Sequence, residues 1–230
     1  MNIVIVSSKE WHHHFVHEIE NRTGAKVIYL KEQNEINAER FAELAPDWVF
    51  FPHWSYIIPR EIYGKFRCVI FHMTDLPFGR GGSPLQNLIV RGIYETKLSA
   101  LRCDEELDGG DIYIKRSLSL YGTAEEIFLR AAGLIKEMII EIACGNIEPS
   151  PQEGEISVFK RRTPKEGDIG NLNSLIQVFD YIRMLDAEGY PSAFLDTKNL
   201  RLEFSRASLR DGYIKADVIV RVKEDEKDAE

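Results

Sequence analysis

The stretch Phe66-Arg67-Cys68-Val69-Ile70-Phe71-His72-Met73-Thr74-Asp75-Leu76-Pro77-Phe78-Gly79-Arg80-Gly81-Gly82-Ser83-Pro84 decides how the rest of the chain is read. Its first six residues, apolar except for Arg67, have the length of a buried strand and deliver His72 at the carboxyl end. Two prolines and three glycines follow within residues 71–84. Glycines let backbone amides come close to a ligand, and prolines stiffen the loop around them. A loop built this way gains little for folding alone, so it points to function. Residues 84–91 then read as a helix. Strand, loop, helix is the repeating unit of an α/β sheet.

The same unit recurs on both sides. Toward the N-terminus, Asn2 to Val6 reads as a buried parallel strand ending at Ser7-Ser8, and Trp11 to Arg22 as a helix stopped by Gly24. Lys26 to Leu30 and Asp47 to Pro52 read as strands. Asn37 to Leu44 reads as a helix between them, and Pro59 opens a short one. Toward the C-terminus, Glu95 to Arg102 and Tyr113 to Ser119 are strands. Thr123 to Ala143 is a long helix, with Thr123 and Glu126 set for a capping box. Alternating strands and helices predict a Rossmann-like, mostly parallel sheet with helices on both faces, binding ligands beyond the carboxyl ends of its strands. Gly145 to Glu155, with Pro149, Pro151 and Gly154, reads as a linker. The expected domains are therefore residues 1–148 and 149–230. The second is a small subdomain: a helix over Asn171 to Ala187, then strands over Ala193 to Leu195, Leu200 to Ser208 and Tyr213 to Val220. This terminal sheet is the expected surface of a homodimer. Lys223 to Glu230 is charged and expected to fray.

The 230 residues carry 37 acidic against 29 basic side chains, a net charge of -8, which argues against a general nucleic-acid binder. Three scattered cysteines, Cys68, Cys103 and Cys144, suggest neither a disulfide framework nor a zinc knuckle. No apolar run approaches the ~20 residues of a membrane helix, and the first residues read as a strand rather than a leader. A cytoplasmic location is expected.

His72 is the acid–base candidate, because an imidazole titrates near neutrality. The segment Glu105 to Asp111, with Gly109 and Gly110, reads as a turn, and Asp111 is placed to orient His72. His12, His13, His14 and His17 invite a metal reading, but Trp11 and Phe15 beside them favour ordinary packing; no metal site is expected. The chain has no G-x-G-x-x-G, no Walker lysine motif and no G-x-S-x-G elbow. Lys160-Arg161-Arg162 is either a solvated face or a phosphate contact.

The run His72-Met73-Thr74-Asp75-Leu76-Pro77, Arg80-Gly81 and Pro84, with the later Asp108-Gly109-Gly110-Asp111, resembles the folate-dependent formyltransferase family. The tail, with Phe159 to Pro164, Asp168-Ile169, Ile182-Arg183 and Gly189 to Phe194, is similar to sugar N-formyltransferases, particularly those of nonulosonic (pseudaminic) acid pathways. The resemblance implies formyl transfer from N10-formyltetrahydrofolate to the amine of a nucleotide-linked amino sugar, without metal and without nucleic acid. It implies His72 and Asp111 as catalytic residues. Folate would be held by Ile57, Ile58, Pro59, Arg80, Gly81, Leu107, Asp108 and Gly110, and the acceptor by Ser8, Lys9, Trp11 and Thr74.

One departure stands out. The family carries asparagine two residues before the histidine, and Ile70 stands there. Isoleucine cannot donate a hydrogen bond to an oxyanion; losing such a donor costs ~10²–10³ in rate. His72 alone, His53 or a backbone amide would have to take over. A methionyl-tRNA formyltransferase is the rival reading; it needs a larger, basic C-terminal domain, whereas the part after the α/β domain is short and the chain as a whole is acidic. A silent folate or nucleotide-sugar binding module is the non-enzymatic alternative.

Overall fold

The computed structural model describes residues 1–223; the expected frayed tail lies, from residue 224 on, outside the described residues. The chain runs β1 (Asn2–Val6), α1 (Glu10–His13), α2 (Val16–Thr23), β2 (Lys26–Leu30), α3 (Ala38–Leu44), β3 (Trp48–Phe51), α4 (Arg60–Tyr63), β4 (Cys68–His72), β5 (Arg80–Gly81), α5 (Pro84–Ile89), β6 (Glu95–Arg102), β7 (Ile112–Ser119), α6 (Ala124–Cys144), β8 (Val158–Phe159), α7 (Leu175–Arg183), β9 (Ala193–Asp196), β10 (Leu200–Arg210) and β11 (Tyr213–Val222). It divides into two compact units, the first comprising residues 1–84, 95–118 and 128–159, the second 85–94, 119–127 and 160 onward.

The first unit is built on a six-stranded sheet in the order β2-β1-β3-β4-β6-β7. β1 pairs in parallel with β2 and β3, β3 with β4, and β6 runs antiparallel to β4. The apolar runs read from the sequence are the strands. Val4, Val6, Val49, Phe51 and Cys68 point to one face, where they pack with Leu30, Phe41 of α3 and Ile62 of α4. Ile5 points to the other, toward Ile19 of α2 and Ala132, Ile135 and Ile139 of α6. Burial on both faces is what a continuous apolar strand requires, and it fixes the carboxyl ends of β1, β3 and β4 on one rim.

Two local expectations change. The single helix over Trp11–Arg22 is two helices, broken where the amide of Phe15 bonds the carbonyl of His12 at 3.3 Å, a tightened three-residue turn. The break lets Trp11 stack on Phe128 with ring centroids 6.2 Å apart, while His12 lies against His53. The break between residues 148 and 149 is also displaced. Ser150 exchanges backbone hydrogen bonds with Ile112 at 2.8 and 3.0 Å, and β8 pairs with β5, so the supposed linker is hydrogen-bonded into the first unit as far as Phe159. The capping box forms as expected: the Thr123 amide donates to Glu126 Oε2 at 2.7 Å and the Glu126 amide to Thr123 Oγ1 at 3.3 Å.

The second unit holds most of α5, α7 and the antiparallel sheet β11-β10-β9. Ser174 caps α7 by accepting the Gln177 amide at 3.3 Å, which starts the helix later than the sequence pattern suggests. Arg183 is buried; its Nε donates to Asp180 at 2.6 Å and its Nη1 to the carbonyls of Leu120 and Gly122 at 2.6 and 3.0 Å. The pairing offsets the large cost of burying a guanidinium.

Candidate active site

β4 carries His72 to the rim and buries it. Its Nε2 lies 2.7 Å from the carbonyl oxygen of Gly79. A carbonyl only accepts, so Nε2 carries the proton and Nδ1 is the basic nitrogen of the neutral ring. Nδ1 faces Asp108 Oδ2 at 3.5 Å, and both side chains are about nine-tenths buried. Asp108 Oδ2 also accepts the Gly81 amide at 2.8 Å. A proton arriving at Nδ1 therefore meets a fixed carboxylate, and a buried pair of this kind is an acid–base unit.

Asp111 is not that carboxylate. It faces Arg102, with Oδ2 2.8 Å from Nη2 on a half-exposed surface. The reason is backbone geometry: Asp108 takes a left-handed conformation, φ 52°, and its side chain turns inward before β7 starts at Ile112. Gly110 permits this, since a Cβ there would sit 1.9 Å from the carbonyl oxygen of Arg102. Gly81 is equally constrained, at φ 97°, with a Cβ position 2.5 Å from the carbonyl of Phe159 across the β5–β8 pair.

The remaining expected residues separate. Arg80 is buried; Nη1 donates to Glu106 at 2.5 Å, and Nε and Nη2 to Gln152 Oε1 at 3.1 and 2.9 Å. It holds the loop together instead of presenting its charge to a ligand. Ile58 is part of the apolar core under the sheet, so of the Ile57-Ile58-Pro59 segment it is Ile57, 90% exposed, that can meet a ligand. Pro59 caps α4. Leu107 is 70% exposed on the same turn as Asp108. Thr74 is fully buried and donates to the Gly79 carbonyl at 3.3 Å, so it braces the loop and does not face an acceptor. Trp11, packed on Phe128 and edge-on to His53, is likewise turned inward. Ser8 does reach an open cleft of about 830 Å³ at the ends of β1 and β2, walled by Glu10, Lys31, Glu32, Gln33, Asn34 and Tyr56. Lys9 lies over the Trp11 ring at 5.2 Å.

Ile70 packs against the core cluster, so it leaves no polar group in the place of the family's asparagine. His53 does not fill the gap. It adopts φ 52°, packs edge-on to Phe128 at 4.5 Å and faces His12 with a 3.5 Å nitrogen–nitrogen contact. Burial is the main cause that pushes His12 down to about 2 and His53 down to about 4. Both rings are therefore neutral. Among the described residues no group of three or more His, Cys, Asp or Glu is arranged to hold a metal ion.

Comparison with known proteins agrees with this architecture. The family model described as "Formyl transferase" matches residues 7–139, and the one described as "Methionyl-tRNA formyltransferase, C-terminal domain" matches residues 164–221. A solved structure of a methionyl-tRNA formyltransferase from Clostridium thermocellum is 48% identical, covers 97% of this chain and 100% of its own, and superposes with a TM-score of 0.94. The methionyl-tRNA formyltransferase of Thermodesulfovibrio yellowstonii is 27% identical over 84% of this chain and 64% of its own length. This chain thus spans less than two thirds of that relative's length. A sugar N-formyltransferase from a Shewanella species is 16% identical, covers 94% of this chain and 96% of its own, and has a TM-score of 0.69, a likeness of fold alone.

These relatives overturn the expectation of a nucleotide-linked amino sugar as acceptor, and with it the exclusion of nucleic acid. The tail read as that of sugar N-formyltransferases falls largely within the stretch matching a methionyl-tRNA formyltransferase C-terminal domain.

Proposed function

The chain belongs to the formyl transferase family, and from that premise we propose that it transfers a formyl group from N10-formyltetrahydrofolate to the α-amino group of methionyl-tRNA. The observation that carries the chemistry is the buried Asp108–His72 pair at the sheet's carboxyl rim. The acceptor follows from the relatives' names and the 48% identity over nearly the whole chain.

Folate supplies the formyl group on a nitrogen that leaves once protonated. The rim suits it: Ile57 and Leu107 expose large apolar side chains that a flat pterin can cover, and the Gly81 amide is bonded to Asp108, the residue after Leu107. The chain's own groups do the rest. The amine must be neutral to attack the formyl carbon. As the new C–N bond forms, Asp108 with His72 takes the amine proton, and the same proton is returned to the departing N10 nitrogen. Charge developing on the formyl oxygen needs a donor. With Ile70 apolar and the amides of Gly79, Arg80, Gly81 and Gly82 already donating within the protein, that duty falls to the proton taken up at His72 Nδ1, shared between Asp108 and the oxyanion.

The test is formylation of charged initiator tRNA by the purified protein with N10-formyltetrahydrofolate, read as formyl-methionine after deacylation. His72→Ala is expected to abolish turnover while formyl-folate binding persists. Absence of formyl-methionine with the wild-type protein, under conditions where it binds the folate, overturns the acceptor.

A further inference from the structure

The segment read as a linker places one side chain under the catalytic turn. Gln152 is partly buried and uses its whole amide. Its Nε2 donates to the carbonyls of Asp108 and Gly110, each at 2.8 Å. Its Oε1 accepts from Arg80 Nε at 3.1 Å and Nη2 at 2.9 Å. Carbonyls only accept and a guanidinium only donates, so the orientation of this amide is unambiguous.

The turn it holds is one that needs holding. Asp108 sits at φ 52°, a left-handed conformation that a non-glycine residue keeps only where its surroundings hold it. Asp108 spends its carboxylate on the Gly81 amide and His72, so its side chain cannot also brace its own backbone. The two Gln152 bonds, on residues 108 and 110, clamp the backbone on both sides of Gly109. Arg80 is held in turn by Glu106 of the same turn, which closes a ring of contacts through Arg80, Gln152, the turn and Glu106.

We infer that Gln152 is a positioning residue for the Asp108–His72 pair, setting the catalytic carboxylate by clamping the backbone of its turn. Its amide bonds only to Arg80, Asp108 and Gly110, so it acts through the turn. The inference rests on the formyl-transfer reading only for its kinetic consequence. The geometric consequence stands alone: without the clamp, Asp108 relaxes and the Gly81 amide loses its acceptor.

Two variants test this. Q152A removes both edges of the amide. Q152E keeps the acceptor for Arg80 but sets a carboxylate oxygen against two carbonyls, so it breaks the clamp while preserving size. Both are expected to lower kcat about 10- to 100-fold, with the KM for formyl-folate within about twofold, because misplacement of a catalytic group acts on the chemical step. In both, hydrogen exchange at the Gly81 amide should accelerate at least about tenfold while amides of β1 and β3 keep their protection, which establishes that the sheet is folded. Wild-type kcat in Q152E, a loss confined to KM, or unchanged Gly81 exchange overturns the inference. If the wild type forms no formyl-methionine, the proposed acceptor fails, and exchange at Gly81 still decides the role of Gln152.

Discussion

Asp108 and Asp111 are three residues apart, both acidic, both beside glycine, and only one meets His72. Asp108→Asn keeps the size and the bond from Gly81 but removes the charge that receives a proton. It is expected to lower kcat by about 10²–10⁴. Asp111→Asn breaks an exposed ion pair with Arg102 and should leave kcat within about threefold, since such pairs contribute little. Side-by-side kinetics of the two variants checks the assignment. The His12–His53 pair makes a separate prediction, of stability rather than rate. Both rings are held neutral in the folded protein, far below the ordinary histidine range. The unfolded chain therefore binds more protons than the folded one once pH drops below about 6.5. Stability is fully present above that pH and falls as pH drops through the folded value of about 4 for His53 and onward toward about 2 for His12. The slope approaches about 1.4 kcal/mol per pH unit for each proton taken up. Urea unfolding between pH 7 and 4 should show it, and His53→Phe should flatten it.

At the scale of elements, β8 and β11 contrast. β8 is two residues long, yet its pairing with β5 fixes the glycine-rich loop beside the Asp108 turn: the Gly79 amide donates to Ser157 Oγ at 2.8 Å and the Gly82 amide to the Phe159 carbonyl at 3.1 Å. β11 is ten residues long and lies at the edge of its sheet, with Val218, Ile219, Val220 and Val222 all 44% exposed or more. An apolar edge of that length is a template for another strand. A two-fold antiparallel pairing centred on Ile219 sets Val218 opposite Val220 and Asp217 opposite Arg221, apolar against apolar and acid against base; Lys215 opposite Lys223 is the one unfavourable pair. This edge is where the homodimer expected from the sequence can be tested. Ile219→Lys should convert it to monomer in sedimentation equilibrium without loss of the fold.

For the molecule as a whole, the net charge of -8 hides an uneven distribution. Residues 160–223 carry twelve Lys and Arg against nine Asp and Glu, so the acidity belongs to the rest of the chain. Phosphate recognition is local, and a net count over 230 residues does not exclude it. If this part meets tRNA, the KM for methionyl-tRNA should rise steeply with salt while the KM for formyl-folate changes little, by about 0.7–0.9 in log–log slope for each phosphate contacted. Lys160 and Arg161 are exposed, and K160E/R161E should lower that slope by about one to two. A salt-independent KM for the tRNA would leave the basic run a solvated face.

What the sequence determined by itself was most of what depends on neighbours along the chain. Apolar runs set the strands, Thr123 and Glu126 the helix start, and Gly24 a helix end, because strand burial and helix capping are decided within a few residues. The loop after His72 was legible for the same reason. What only the tertiary structure decided was which carboxylate reaches that histidine, that Thr74 and Trp11 face inward, and that Gln152 belongs to the site. These depend on a left-handed residue at 108 and on hydrogen bonds across 42 to 78 positions of sequence. Neither periodicity nor composition records such contacts. Nor does net charge record where the charges lie.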